Sequence, residues 1–325
     1  MVSGRICIAM LVPGLILSCV PGLFAGPGLD NGFIKFVKVI HLNGSQGKQS
    51  LKDFILGKTK KKGIKPSAIC RINRHLLCIT DAVNGSVVIL DNNGKIKKKI
   101  SRVKGLKLIS PVSACVDDAG NIYVSDSARQ VVVRFDRKYK FKGIFISPSL
   151  SGGRITGLVF MGGIFYCVDT ANHRVLCFDR QGELKSIIGK RGPGEGQFNF
   201  PTHIAAKNGF IYVVDALNFR VQVFDGSGKF IRVFGSPGRG GGNFSKPKGI
   251  AVDGQRRIFV ADAMFDNVQI FNSEGRFLYY FGGPGQGQGE FWMPTGIMVD
   301  SDDTIWVADT YNNRIQVFKL VENSL

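Results

Sequence analysis

Histidine is scarce in this 325-residue chain, and its four copies, His41, His75, His173 and His203, are scattered. No Cys-x-x-Cys or Cys-x-x-Cys-His spacing occurs. These absences exclude a zinc ribbon, covalent haem attachment and the Cys/His module of a RING-type ligase. The Gly-x-x-x-x-Gly-Lys-Ser/Thr phosphate loop is missing too, and no Gly-rich segment leads into a helical pattern, so nucleotide binding of that kind is excluded. Acidic residues are few: 24 Asp and Glu stand against 43 Lys and Arg, for a net charge of +19. After residue 30 there is no long helical stretch. Cys7 and Cys19 lie near the N-terminus, which leaves an odd five cysteines for the folded part and argues against a complete disulfide framework. Cys70, Cys78, Cys115, Cys167 and Cys177 occupy small apolar strand positions and read as buried thiols. Cys70–Cys78 and Cys167–Cys177 join neighbouring strands, so pairing within either couple stays open.

What the chain has in abundance is repetition. A β-rich run ending in Asp recurs at Asp81, Asp126, Asp169, Asp215, Asp262 and Asp309, in steps of 45, 43, 46, 47 and 47 residues. A period in the forties, built from short strands and turn residues, indicates a β-propeller. The clearest copy runs from Pro247 to Gly282 and contains four apolar runs, Gly249–Val252, Ile258–Ala261, Val268–Phe271 and Phe277–Phe281. Four such strands with tight turns make one antiparallel blade. The last copy has only three, and residues 33–40 resemble a fourth strand such as Lys229–Phe234. The expected fold is therefore all-β: a six-bladed propeller whose ring is closed by an N-terminal strand completing the last blade. The expected organisation is a leader over residues 1–26, the closing strand and a basic linker over 27–65, the blades over 66–320 and a tail over 321–325.

The residues around each Asp carry a family resemblance. Asp309-Thr310-Tyr311-Asn312-Asn313-Arg314-Ile315-Gln316-Val317-Phe318 and Asp215-Ala216-Leu217-Asn218-Phe219-Arg220-Val221-Gln222-Val223-Phe224 follow D-x-x-N-x-R-V-x-V-F. With Pro-x-Gly-Ile-x-Val-Asp before the second strand, the pattern resembles the NHL repeat over residues 33–320. Blades 1, 2 and 5 depart at the Arg position, with Ser86, Val131 and Asn267. The resemblance implies the propeller fold and leaves activity open, because one scaffold hosts many functions.

The N-terminus reads as an export signal: Arg5 precedes an uncharged apolar run from Ile6 to Ala25. Ile16-Leu17-Ser18-Cys19 resembles a bacterial lipobox, and an uncleaved anchor is the third reading. The expected location is periplasmic or extracellular, with a lipid anchor as a variant. The positive charge is concentrated at Lys58, Lys60, Lys61, Lys62 and Lys65 and on the outer strand at Lys97, Lys98 and Lys99. This sector reads either as a solvated edge or as a contact for an anionic envelope surface.

Strand polarity groups the loops. The loops after the second strands share a face with the Gly-rich connections Gly189–Pro201, Gly235–Pro247 and Gly282–Pro294. The recurrent Asp residues are expected to be structural, capping turn amides and pairing with Arg174, Arg220 and Arg314. Phe198, Phe244 and Phe291 are expected to plug the joints between blades. Candidate partner-binding residues on this face are His173, Arg174, His203, Leu217, Phe219, Arg220, Met264, Phe265, Tyr311 and Arg314. His203 stands where other blades carry Gly or another small residue, near the channel mouth. Six-bladed peptidyl-amidating lyases resemble this repeat, and that resemblance implies channel histidines binding zinc. The chain places too few histidines there, so no metal, cofactor or catalytic residue is assigned. The expected function is a non-catalytic protein-binding scaffold. The alternatives are a lyase or lactone hydrolase acting on a small molecule at the channel mouth, and RNA binding, which conflicts with export.

Overall fold

Each Asp-ended run is the second strand of a four-stranded antiparallel sheet, and six such sheets form the ring. The computed structural model describes residues 33–42 and 63–321. The leader with Cys7 and Cys19, the linker lysines Lys58, Lys60, Lys61 and Lys62, and residues 322–325 lie outside the described residues. Blade 5 shows the plan: Pro247–Val252 lines the channel, followed outward by Ile258–Asp262, Asn267–Phe271 and Phe277–Phe281. Second and third strands are rich in Val, Ile and Phe and are buried on both faces, because a neighbouring blade covers each side. Fourth strands face solvent and alternate or turn polar, as in blade 1, where four of the five residues of Ile96–Ile100 are exposed.

The core is divided into clusters between adjacent blades. Tyr212, Val214, Val221 and Val223 of blade 4 pack on Ile250, Val252, Ile258 and Val260 of blade 5. The ring is closed by Ile34–His41, which pairs antiparallel with Arg314–Leu320 and places Ile40 opposite Ile315 and Phe36 opposite Phe318. The same strand feeds two clusters: Ile34 packs between blades 5 and 6, and Ile40 packs between blades 6 and 1. A polar latch joins the same blades on the opposite face. Arg71 of blade 1 pairs with Asp300 of blade 6, which also accepts a bond from Trp306 Nε1 at 2.7 Å.

The cysteines follow the strand register. Cys70 lies directly opposite Cys78, whereas Cys167 faces Leu176 and Cys177 faces Tyr166. All five described thiols are free. Burial pushes the pKa of Cys115 and Cys167 up, which makes them poor nucleophiles.

The Gly-rich connections fold back over the joints. Phe198, Phe244 and Phe291 are fully buried, and each contacts the third-strand Phe of its own blade, with ring centroids 5.6, 5.6 and 5.8 Å from Phe224, Phe271 and Phe318. Gly235 makes room for one of them: its φ is +90°, and a Cβ there would lie 2.5 Å from the Phe244 ring. Truncating Phe244 to Ala should therefore cost about 3–5 kcal/mol. Denaturant unfolding of Phe244→Ala checks this value; a loss below about 1 kcal/mol would mean the joint collapses around the gap.

Candidate functional site

The loop face is organised by the second-strand carboxylates. All six repeat Asp residues are fully buried. A buried carboxylate needs several donors to offset its lost hydration, and each finds backbone amides of its own blade. Asp81 accepts from Lys65 and Asn84, Asp126 from Ile109 and Ser110, and Asp262 from Ser245, Lys246 and Met264.

Blade 1 adds the Asn84 side chain, and in blades 3, 4 and 6 an Arg joins the Asn. Asp309 Oδ2 accepts from Arg314 Nε at 2.6 Å, Asn312 Nδ2 at 2.9 Å and Gln316 Nε2 at 3.2 Å. Asp215 Oδ2 accepts from Arg220, Asn218 and Gln222 in the same way, and Asp169 pairs with Arg174 and Asn172. The rest of each guanidinium braces the overlying connection. Arg220 donates to the carbonyls of Gly194 and Gln197, and Arg314 to those of Gln286, Gly287 and Glu290. Arg174 holds the Ser151 carbonyl.

Those bonds engage the three arginines of the predicted partner-binding set within the fold. Arg314 is buried and spends its donors inside blade 6. Arg174 and Arg220 are braces of the same kind. His173 is buried as well: its Nδ1 accepts the Phe200 amide at 3.0 Å, and its ring stands edge-on to Phe200. Burial, and then the charge of Arg191, lowers its pKa.

The apolar candidates behave differently. Leu217 and Met264 are more than half exposed, and Tyr311 is exposed. Phe219, Met264 and Phe265 line one groove of about 770 Å³, walled further by Pro237, Arg239, Gly240, Tyr280 and Pro284. Tyr311 stands apart, beside Trp292 with ring centroids 5.6 Å apart. Trp292 is 48 % exposed and was not among the candidates; a bulky aromatic in a Gly-rich connection, where blade 4 has Asn199 and blade 5 has Ser245, was the available signal.

Of the basic residues, Lys97, Lys98 and Lys99 are exposed on the outer strand of blade 1, with Lys97 paired to Asp91. Lys65 lies away from that edge, on the loop face, with its ammonium 4.4 Å from the Tyr311 ring centre.

The channel forms a second, smaller cavity of about 240 Å³ lined by first strands. Gly249 shows how closely these strands approach: a Cβ there would meet the Thr295 carbonyl oxygen at 2.0 Å. His203 occupies the equivalent place in blade 4 and lines the cavity. Its side chain keeps partial access to the channel, but its Nδ1 is sealed off without a partner, as is Thr202 Oγ1. Burial, reinforced by the charge of Lys248, lowers the pKa of His203 from 6.5 to about 3. Among the described residues no group of three His, Cys, Asp or Glu side chains is arranged to hold a metal ion.

A model described as a 6-bladed beta-propeller matches residues 201–257, and the NHL repeat model matches residues 291–318. The chain is an NHL-type six-bladed β-propeller. No curated protein matches it. Solved structures similar to this NHL propeller include an auxiliary nutrient binding protein from Bacteroides thetaiotaomicron, at 14 % identity and a TM-score of 0.65 over 87 % of this chain and 76 % of that one. A catalytically inactive virginiamycin B lyase from Staphylococcus aureus with quinupristin aligns at 15 % identity and a TM-score of 0.59, over 87 % and 99 % of the two chains. A gluconolactonase from Xanthomonas campestris aligns at 14 % and 0.58, over 76 % and 82 %. At these identities the likeness is one of fold.

The channel histidine of this propeller gives a signed prediction. Its folded pKa lies below the unfolded value, so the neutral ring contributes stability that is present above pH 6.5 and is lost as pH falls toward about 3. Wild type should therefore lose melting temperature relative to His203→Gln as pH is lowered from 7 to 5. Parallel curves for the two proteins would place the ring in contact with bulk solvent.

Proposed function

We propose that this NHL propeller is an exported, non-catalytic scaffold that binds a protein partner through its loop face in the cell envelope. The observation that carries the reading is the groove of about 770 Å³ lined by Phe219, Met264 and Phe265. Aromatic residues on loops held by a rigid scaffold are typical recognition elements, and here the connection is anchored by the buried Phe244 and by Gln269, which bonds the Gly242 amide and the Asn243 carbonyl. The exposed Trp292–Tyr311 pair in the adjacent blade extends the apolar surface. The lysines of the blade 1 outer strand lie around the rim, where they would orient the propeller on an anionic surface. Export rests on the N-terminal pattern of Arg5 followed by the apolar run.

A second reading is a small anionic molecule at the channel mouth, the site at which a lyase or lactone hydrolase would act. It is favoured by His203, whose ring lines the channel cavity, and by the nearby Lys248, whose pKa is lowered first by burial and then by the charges of Lys246 and Arg154.

Affinity capture from the native envelope fraction, washed at low and high salt, separates the two. The scaffold reading expects a stoichiometric protein that survives high salt and is lost with Phe219→Ala and Phe265→Ala. Retention of salt-labile polyanions alone, or retention indifferent to both substitutions, contradicts it and favours the channel.

A further inference from the structure

The three Gly-rich connections are built alike, but only two of them are braced. Gly189–Pro201, Gly235–Pro247 and Gly282–Pro294 align without gaps, and each carries a parallel bridge to its plugging Phe, at Arg191–Phe198, Pro237–Phe244 and Pro284–Phe291. The third-strand Gln is conserved in role across all three. Gln222, Gln269 and Gln316 each accept an amide of the connection, from Gly196, Gly242 and Gly289. Each also donates to a carbonyl, of Gln197, Asn243 and Glu290. Against this common frame blade 5 differs twice. Phe265 stands where Asn218 and Asn312 hold the buried carboxylate, and Asn267 stands where Arg220 and Arg314 sit.

The missing guanidinium removes a set of donors that the sister blades have, although Gly240 O keeps the Asn243 amide just as Gly194 O and Gly287 O keep those of Gln197 and Glu290. Arg220 and Arg314 fill the space between carboxylate and connection with donors to carbonyls of the loop. The counterparts of the Gln286 and Gly287 carbonyls in blade 5 belong to Arg239 and Gly240, and both residues line the groove. Asn267 Oδ1 is buried there with no partner, an acceptor where the sister blades present guanidinium donors. The carboxylate of Asp262 is held by backbone amides alone.

Two carboxylates, Asp262 and Asp266, stand close to Asn267 in the chain, and Arg239 is the charged residue of the groove wall. Asp266, beside Asn267, has its pKa raised by burial, and the charges of Asp309 and Asp262 add to the shift. The groove also has flat walls: Phe219, Phe265, Tyr280, Pro237 and Pro284, surfaces on which a guanidinium plane stacks.

We propose that the vacated arginine position of blade 5 is a binding site for the guanidinium group of an arginine on the partner protein. This deepens, and rests on, the reading of the loop face as a partner surface. The partner's arginine would enter between Phe219 and Tyr280 and supply donors to the Arg239 and Gly240 carbonyls and to Asn267 Oδ1. Lysine, with a compact ammonium in place of a planar fork, would satisfy fewer of these acceptors.

The test uses blocked tripeptides, Gly-Arg-Gly against Gly-Lys-Gly and Gly-Gln-Gly, titrated into the isotope-labelled propeller and followed by NMR. Saturable shifts at the Asn267 side-chain amide and at Gly240–Gly242 are expected with the arginine peptide, and weaker ones with lysine. Asn267→Arg should raise the melting temperature and abolish the shifts, because the restored side chain fills the site from within. Asn267→Leu should weaken binding by about tenfold, and it serves if the first variant does not fold. Equal responses to arginine and lysine, no saturable response, or binding unchanged in the folded variants would overturn the assignment. Loss of a captured partner in Phe219→Ala and Phe265→Ala without any arginine response would leave the partner surface standing and remove only the guanidinium site.

Discussion

A carboxylate buried at the end of each second strand is the constraint on which the rest of the propeller depends. Water is excluded there, so the charge is tolerated only where amides and side chains converge on it. The donors come from the turn that follows the strand and from the connection that enters the blade, as with Asn199 and Asn218 around Asp215. Each Asp thereby ties a loop to its sheet, and it does so at the same height around the ring. Removing the guanidinium partner of a pair such as Asp309–Arg314 would leave a buried charge short of donors, a loss of about 3–5 kcal/mol. The recurrence of Asp in the sequence is thus a recurrence of mechanical need, and the functional information lies in what differs from blade to blade.

Those differences fall on one side. Blades 4, 5 and 6 carry the Gly-rich connections, and the plugging Phe residues hold those connections down over the joints. The apolar side chains exposed on these connections and the adjoining loops include Phe200, Leu217, Met264, Trp292 and Tyr311. In blade 5 the brace is absent, and the groove opens at that place. The channel offers a smaller cavity whose distinctive groups are His203, Arg71 and Asp300.

The fold was legible because it is repeated. Six Asp-ended runs in phase overrode the weak alternation of buried strands, and the resemblance of residues 33–40 to an outer strand pointed to the closing strand found at Ile34–His41. The site was only partly legible. Phe219, Met264 and Phe265 were recognisable as loop apolar residues, and they share a groove. His173 and Arg314 looked equally available, because a loop position in sequence does not reveal burial; both are consumed by internal hydrogen bonds. Lys65 read as part of a basic edge, yet it stacks on Tyr311 across the ring closure, a contact between residues far apart in the chain. Asn267 was visible as a departure from the repeat, but the consequence of that departure needed the geometry of its sister blades.

The measurement that tests the bracing account most directly is amide hydrogen exchange of the native protein, read separately over the three Gly-rich connections. If the Arg–carboxylate braces set the rigidity of the loop face, Gly235–Pro247 exchanges faster than Gly189–Pro201 and Gly282–Pro294. Equal protection of all three, or greater protection of Gly235–Pro247, would contradict the account and place the rigidity in the plugging phenylalanines alone.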